Sequence, residues 1–309
     1  MVASLPAEAD DEPRPRQHAL GKDLPGVRSV SDRPGPFRRM RDVWAYRELL
    51  RNLVRKELKV KYKNSFLGFA WTLLNPALYL VVFSIVFKLI LNSKVDYYAV
   101  FLLSGLLAWN LFAASLSGST VGITGNAQLV QKVWMPREVL ALAPIGAALM
   151  HFFFQLIVLI GALVLFQLPI DWAGIPLLFF ALGVLLLLSV SLGIALSAIN
   201  VYMRDTQHLL ELVLLAWFWL SAIVYPYRQV SDKMGSKAGL MLLNPMLPVI
   251  AAFQRVIYNP TSAQQILPDN VDLWWYYRNL AIIGVFSIAL LFGALWLFGR
   301  LEDNIAEEI

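Results

Sequence analysis

The sequence predicts an all-α membrane protein: six transmembrane helices, an amphipathic interface helix before them, and short re-entrant helices between the fifth and sixth spans. Three observations carry that prediction. Of the 309 residues, 58% are hydrophobic and only 15% charged, against about 25% charged in soluble domains. Mean hydropathy is +0.61, and several apolar runs reach the roughly 20 residues that a bilayer core of about 30 Å requires. The charge is also gathered in one place. Residues 41–63 hold eight Lys/Arg and three Asp/Glu, a local +5 that equals the net charge of the whole chain.

Residues 1–41 are rich in Pro, Arg, Asp and Gly and contain no apolar run of the signal-peptide kind. Such a composition cannot bury a core, and it predicts a disordered tail. In 42–66, Arg47, Arg51, Arg55 and Lys59 follow one another at four-residue steps, while Tyr46, Leu50, Leu53 and Val54 fall on a different side. That pattern describes a helix lying in the membrane interface with its basic side toward the headgroups. So local a basic surface points to anionic lipid or an acidic partner, not to nucleic acid.

The six-span body covers 67–300, with spans expected at 67–91, 98–123, 139–166, 175–201, 208–225 and 280–297. Span 3 is long enough to tilt. The segment 226–275 contains apolar pieces too short to cross, "GLMLLNPMLPVIAAF" among them, broken by Pro245 and Pro248. Pieces of that length are interfacial or re-entrant helices. Trp274, Trp275, Tyr276 and Tyr277 then form an aromatic belt at headgroup depth. Lys/Arg residues set the orientation. One side has the basic helix, Lys132, Arg137, Arg204 and Arg300; the other has Lys94, a 167–174 loop without Lys or Arg, and Arg228, Lys233, Lys237 and Arg255. The richer side is cytoplasmic, so both termini, including the 301–309 tail, are expected in the cytoplasm of a multi-pass protein of the cytoplasmic (inner) membrane.

Catalytic chemistry is not visible. The chain has no phosphate-binding G-x-x-x-x-G-K-[ST] loop, no H-E-x-x-H and no G-x-S-x-G. With no cysteine and only His18, His151 and His208, no catalytic residue and no metal site is expected. The ionisable residues near the spans are few: Lys88, His208 and Glu211 beside Arg204 and Asp205, and His151, which forms an i, i+4 pair with Gln155. They read as interfacial anchors and interhelical hydrogen bonds. A proton- or sodium-driven carrier places acidic groups near the midplane at broken helices, and none is seen, so the chain is expected to use energy supplied by another protein. Aromatic residues are prominent instead. Trp71, Asn75, Tyr79, Phe83 and Phe87 step by four along span 1, and span 5 contributes Trp217, Phe218, Trp219 and Tyr225.

"RKELKVKYKNSFLGFAWTLLNP" (55–76) joins a basic "ELKVKYKNS", an "LGFAW" at the upward turn and an "LNP" inside span 1. Between spans 2 and 3 stands "NAQLVQKVWMPREVL" (126–140). Together these segments resemble the permease subunits of type-2 ABC exporters for lipid-linked polysaccharides, the O-antigen and teichoic-acid family, over about residues 42–300. The resemblance implies two copies of the permease paired with two copies of a cytosolic ATPase, which binds the ATP and Mg; this chain itself carries no cofactor. It implies a coupling segment at 126–138 in which Gln131, Lys132, Trp134, Met135, Pro136, Arg137 and Glu138 contact the ATPase. It implies external gate helices within 226–275 and a tunnel between spans 1 and 5 of the two copies, which would place the aromatic rows along the glycan path. The tail before residue 42 is longer than the family's usual lead-in.

Arg47, Arg51, Arg55 and Lys59 are candidates for attracting the diphosphate of the lipid anchor or for binding anionic lipid. O-antigen, teichoic acid and galactan all remain open as cargo, with galactan preferred on the composition of the tail. Two alternatives differ in class: a type-2 exporter of a drug or small lipid, and a membrane glycosyltransferase that uses lipid-linked sugars. For the latter, Asp269 and Asp272 are the close external carboxylate pair.

Overall fold

The computed structural model describes residues 35–63, 70–87, 95–169, 171–258 and 272–308, which are helical almost throughout and contain no strand. The expected tail up to residue 34, the turn at 64–69, Lys88, Lys94 and Asp269 lie outside the described residues.

The chain opens with α1 (Pro36–Ala45) and α2 (Arg47–Tyr62). Pro36 sits in the first turn of α1, where its missing N–H costs nothing. Tyr46, at φ −92° and ψ 20°, separates the two helices. Residues 36–41, expected in the tail, are therefore helical, and the expected single helix from 42 has a break near its start. Composition alone could not show this, because α1 is held by ion pairs to distant residues.

The remaining helices are α3 (Ala70–Ile85), α4 (Tyr98–Gly122), α5 (Ala127–Lys132), α6 (Glu138–Leu165), α7 (Ile175–Tyr202), α8 (Thr206–Leu220), α9 (Tyr227–Met234), α10 (Met246–Ile257) and α11 (Leu273–Glu308). Among the described residues, four helices are long and apolar enough to cross a membrane: α4, α6, α7 with the short turn before it, and α11 as far as Glu302. A bent pair, Lys237–Leu243 with Met246–Ile257 at 97°, would make a fifth if taken as one span. Helices α3 and α8 are apolar but have 16 and 15 residues. At 1.5 Å per residue they are about 24 and 22 Å long, short of the roughly 30 Å core.

The helix packing uses small residues. Gly118 and Gly122 lie one turn apart on α4 and face α6. A Cβ at Gly118 would come 2.6 Å from Pro144 Cβ, and one at Gly122 would come 2.6 Å from the Leu140 carbonyl oxygen. Between them Ser119 Oγ donates to the Ala141 carbonyl at 2.6 Å. This is the small-xxx-small contact by which membrane helices approach closely. Helices α7 and α11 pair likewise, with Ser191 Oγ donating to the Ser287 carbonyl at 2.8 Å. Helix α2 lies against α6 where Gly146 leaves room for Val54.

At the end opposite the 123–137 loop, α10 is almost entirely buried. The bend before it is organised by Asn244. Its Oδ1 accepts from Trp217 Nε1 at 2.7 Å and from the Met246 amide at 2.9 Å, while its Nδ2 donates to Ser221 Oγ at 3.0 Å. Arg255 pairs with Asp171 at 3.3 Å and Tyr258 donates to the Asp96 carbonyl at 2.6 Å, which ties α10 to the loops before α7 and α4.

Candidate functional site

The loop joining α4 to α6 is a short hairpin on rigid stems. After Gly122 a 3-10 turn (Thr124–Asn126) leads into α5, and the chain is extended at Val133 before α6 begins at Glu138. The Gly122–Leu140 approach clamps its base. Lys56 of α2 donates to Asn126 Oδ1 at 2.7 Å, and Asn126 Nδ2 donates to the Gly122 carbonyl at 2.8 Å. The hairpin is thus fixed to α2 as well as to its own stems.

The seven residues expected at a partner contact divide into two groups. Gln131, Lys132 and Trp134 are exposed, and the Trp134 indole is 70% accessible with its edge toward the Tyr46 ring, 6.3 Å between centroids. Met135 turns inward to a cluster with Leu53, Ile123, Val139 and Phe298. Pro136 and Arg137 are half-buried, and Arg137 Nη1 donates to the Glu302 carbonyl at 2.6 Å. Glu138 is 2% exposed and receives Arg39 Nη1 at 2.6 Å.

Arg39 is the residue that sequence reasoning missed. It is only 4% exposed. It bridges Glu138 at the start of α6 and Glu302 near the end of α11, with its guanidinium 5.8 Å from the centre of the Phe298 ring. Gly299 leaves space for it: a Cβ there would approach the guanidinium to 3.3 Å. Burial works against the charge, but the Glu138 and Glu302 carboxylates outweigh it and hold the guanidinium above its ordinary value. In the sequence it is one of three clustered arginines, with Arg38 and Arg41, after a Pro-rich stretch, and its partners lie 99 and 263 residues away.

Arg47, Arg51, Arg55 and Lys59 are all exposed along α2, while Leu53 is buried and Leu50 and Val54 are half-buried. The aromatic candidates occupy two places. Trp71, Asn75 and Tyr79 line a cavity of about 400 Å³ between α3, α4 and α6. Tyr79, Phe83 and Phe87 continue as a ring ladder, centroids 5.8 and 6.2 Å apart, that ends with Phe87 stacked on Tyr98 at 3.6 Å. Trp217 and Phe218 instead pack from α8 onto α4, meeting Phe112 at 5.1 Å and Trp109 at 5.7 Å. Trp219 is exposed, and Tyr225 donates to its carbonyl at 2.6 Å.

Apolar helices of spanning length that carry a rigid hairpin with an exposed indole at one end and a bent helical pair at the other define a membrane protein. The chain matches the ABC-2 type transporter family over residues 48–258 and belongs to that family. Among curated proteins it is 32% identical over 275 residues to the O-antigen export system permease protein RfbA of Myxococcus xanthus, covering 88% of this chain and 100% of that protein. It is 27% identical to the O-antigen export system permease protein RfbA of Klebsiella pneumoniae, over 84% of this chain and 94% of that one. The polysialic acid transport protein KpsM of Escherichia coli is 20% identical over 80% of this chain and 91% of its own length.

Proposed function

We propose that the chain is the transmembrane subunit of an ATP-driven exporter that moves a lipid-linked polysaccharide of O-antigen, teichoic-acid or galactan type across the cytoplasmic membrane. Two copies work with two copies of a cytosolic ATPase, which holds the ATP and Mg. Helices α3 and α8, shorter than the hydrocarbon core, complete six spans by local thinning of the bilayer, α2 lies in the cytoplasmic interface, both termini are cytoplasmic, and α9 with the bent pair forms the outward gate. The observation that carries the coupling half of this reading is Trp134, a large indole exposed on a hairpin whose stems and flanks are fixed. An exposed aromatic on a rigid support is the usual anchor of a protein interface. Similarity to the O-antigen permeases along nearly the whole chain supports the cargo.

Within this reading the exposed and buried residues of the segment take different roles. Gln131, Lys132 and Trp134 form the contact with the ATPase, while Met135, Pro136, Arg137 and Glu138 hold the hairpin to the body and receive the push. When the tagged full chain is isolated in mild detergent, a stoichiometric ATPase is expected to accompany it. Trp134→Ala is expected to weaken that association by about thirtyfold, the loss of roughly 2 kcal/mol typical of an interface anchor. Isolation of the chain alone, with sugar transfer in the absence of any ATPase, would favour the lipid-sugar enzyme instead.

Arg47, Arg51, Arg55 and Lys59 are proposed to gather anionic lipid, the diphosphate-linked substrate among it. Each cation near such a surface contributes about 1 kcal/mol. Changing all four to Gln is expected to stop export while membrane insertion, followed by fractionation, stays intact. Export at the unaltered rate would remove the recruiting role.

A further inference from the structure

The short helix α1 has two faces of its own. Phe37, Met40 and Trp44 stand at i, i+3 and i+7 and so form a single stripe. All three are exposed, Phe37 to 75% and Trp44 to 72%. Arg38 and Arg41, also exposed, follow along one flank of the stripe. The buried Arg39 points the other way, to Glu138 and Glu302. An exposed apolar stripe with cations beside it is the outward surface of a helix that lies in a membrane interface.

The stripe is also at the depth such a helix takes. Near the end of α11 the Arg300 guanidinium lies over the exposed Trp296 ring, 3.9 Å from its centre, a pairing suited to headgroup level. Phe292 is four residues nearer the membrane centre, about 6 Å along the helix. The Phe37 ring packs on Phe292 with centroids 5.3 Å apart, within the roughly 5–10 Å to which interfacial helices are buried. By the helical period Phe292 shares a face with Val285, Ile288 and Trp296, all three exposed. The stripe of α1 therefore continues the lipid-facing row of α11. Helix α2 spends its apolar side differently: Leu50, Leu53 and Val54 pack into the body, Val54 in the notch at Gly146.

From this juxtaposition we propose that α1 is a lipid-inserted anchor. Phe37, Met40 and Trp44 enter the acyl region of the leaflet at the hairpin end, and Arg38 and Arg41 meet the phosphates of anionic lipids. Arg39 fastens the opposite side of the helix to Glu138 and Glu302, so α1 staples the base of the hairpin to the membrane surface. The anchor requires a membrane-spanning chain and holds for any cargo.

The chain has no cysteine, so single cysteines can be introduced into an otherwise unaltered protein. Full chains carrying Phe37→Cys, Met40→Cys, Trp44→Cys or Ala45→Cys are labelled with a nitroxide in mixed phosphatidylcholine–phosphatidylglycerol nanodiscs, without any ATPase. Labels at 37, 40 and 44 should collide more with oxygen than with a water-soluble nickel chelate. The order should reverse at 45, which stands between Arg38 and Arg41 around the helix. Adding Arg38→Gln and Arg41→Gln to the Met40→Cys chain should lower the ratio of inserted to withdrawn label about fivefold per arginine. Nanodiscs of phosphatidylcholine alone should lower it likewise for the chain with both arginines. Greater collision with the nickel chelate at all three stripe positions would overturn the anchor. Protection from both reagents, with spin–spin broadening between chains, would show that a second copy covers the stripe and would overturn it too. Insertion that ignores both lipid charge and the arginine pair would overturn the assignment to anionic lipid.

Discussion

Arg39→Met is expected to destabilise the protein by about 3–5 kcal/mol, because it strands buried Glu138 without its cation. The carboxylate is 2% exposed, so water cannot replace the lost partner. Glu302, half-buried at the other arm of the fork, is also released, and with it one hold on the end of α11. Arg39→Lys should recover only part of the loss, since an ammonium cannot reach two carboxylates in the fixed geometry of a guanidinium fork. A chain carrying Arg39→Met with Glu138→Leu should recover more than either single change, because the buried charge is removed along with its partner. Thermal unfolding in detergent compares the parent, Arg39→Met, Arg39→Lys, Glu138→Leu and the double variant. An Arg39→Met chain that melts with the parent would show that the ion cluster is not part of the folded state.

The second large effect is expected at Gly122. Alanine there places its Cβ 2.6 Å from a backbone oxygen, that of Leu140, and 3.2 Å from the carbon that bears it. No side chain can rotate aside, so α4 and α6 must separate. Overpacking of this kind costs about 1–3 kcal/mol. Gly161 on α6 is the control: its Cβ would meet nothing within 4 Å, and alanine there should be neutral or stabilising by up to about 1 kcal/mol through helix propensity. The parting of α4 and α6 also spreads the base of the hairpin that carries Trp134. Gly122→Ala is therefore expected to lower ATPase association along with the melting temperature, whereas Gly161→Ala leaves both in place. Equal melting temperatures for the two variants would contradict the close approach.

What the sequence made legible follows from the range of the interactions involved. The helices α4, α6 and α7 fall within a residue of their expected bounds, since a continuous apolar run and its polar ends are local information. The two faces of α2 were legible for the same reason, and Pro245 and Pro248 marked the bend before α10. Helix α8 ends at Leu220, short of the expected 225, because hydropathy does not show where a helix stops when its neighbours are also apolar, and the ends of the expected span 67–91 lie outside the described residues. Arg39 was hidden because a buried ion pair is a property of residues far apart in the chain. Glu138 looked like part of a partner motif, and only its burial shows which way it turns. The i, i+4 pair His151 and Gln155 could be read from spacing alone. That Asn75 and Asn110 face the same cavity could not, since it depends on how three helices are arranged about one another.

The Arg39 cluster also orders the protein's biosynthesis. Its cation is made 263 residues before the Glu302 that completes it, so at about 5–20 residues per second the ribosome delivers the last partner roughly 13–50 s after the first. Until then Arg39 has only Glu138 to pair with and Arg137 has no Glu302 carbonyl to grip. The surface around Trp134 therefore sets only when the last helix is in place, and under the proposed coupling a nascent or truncated permease offers an ATPase no finished seat.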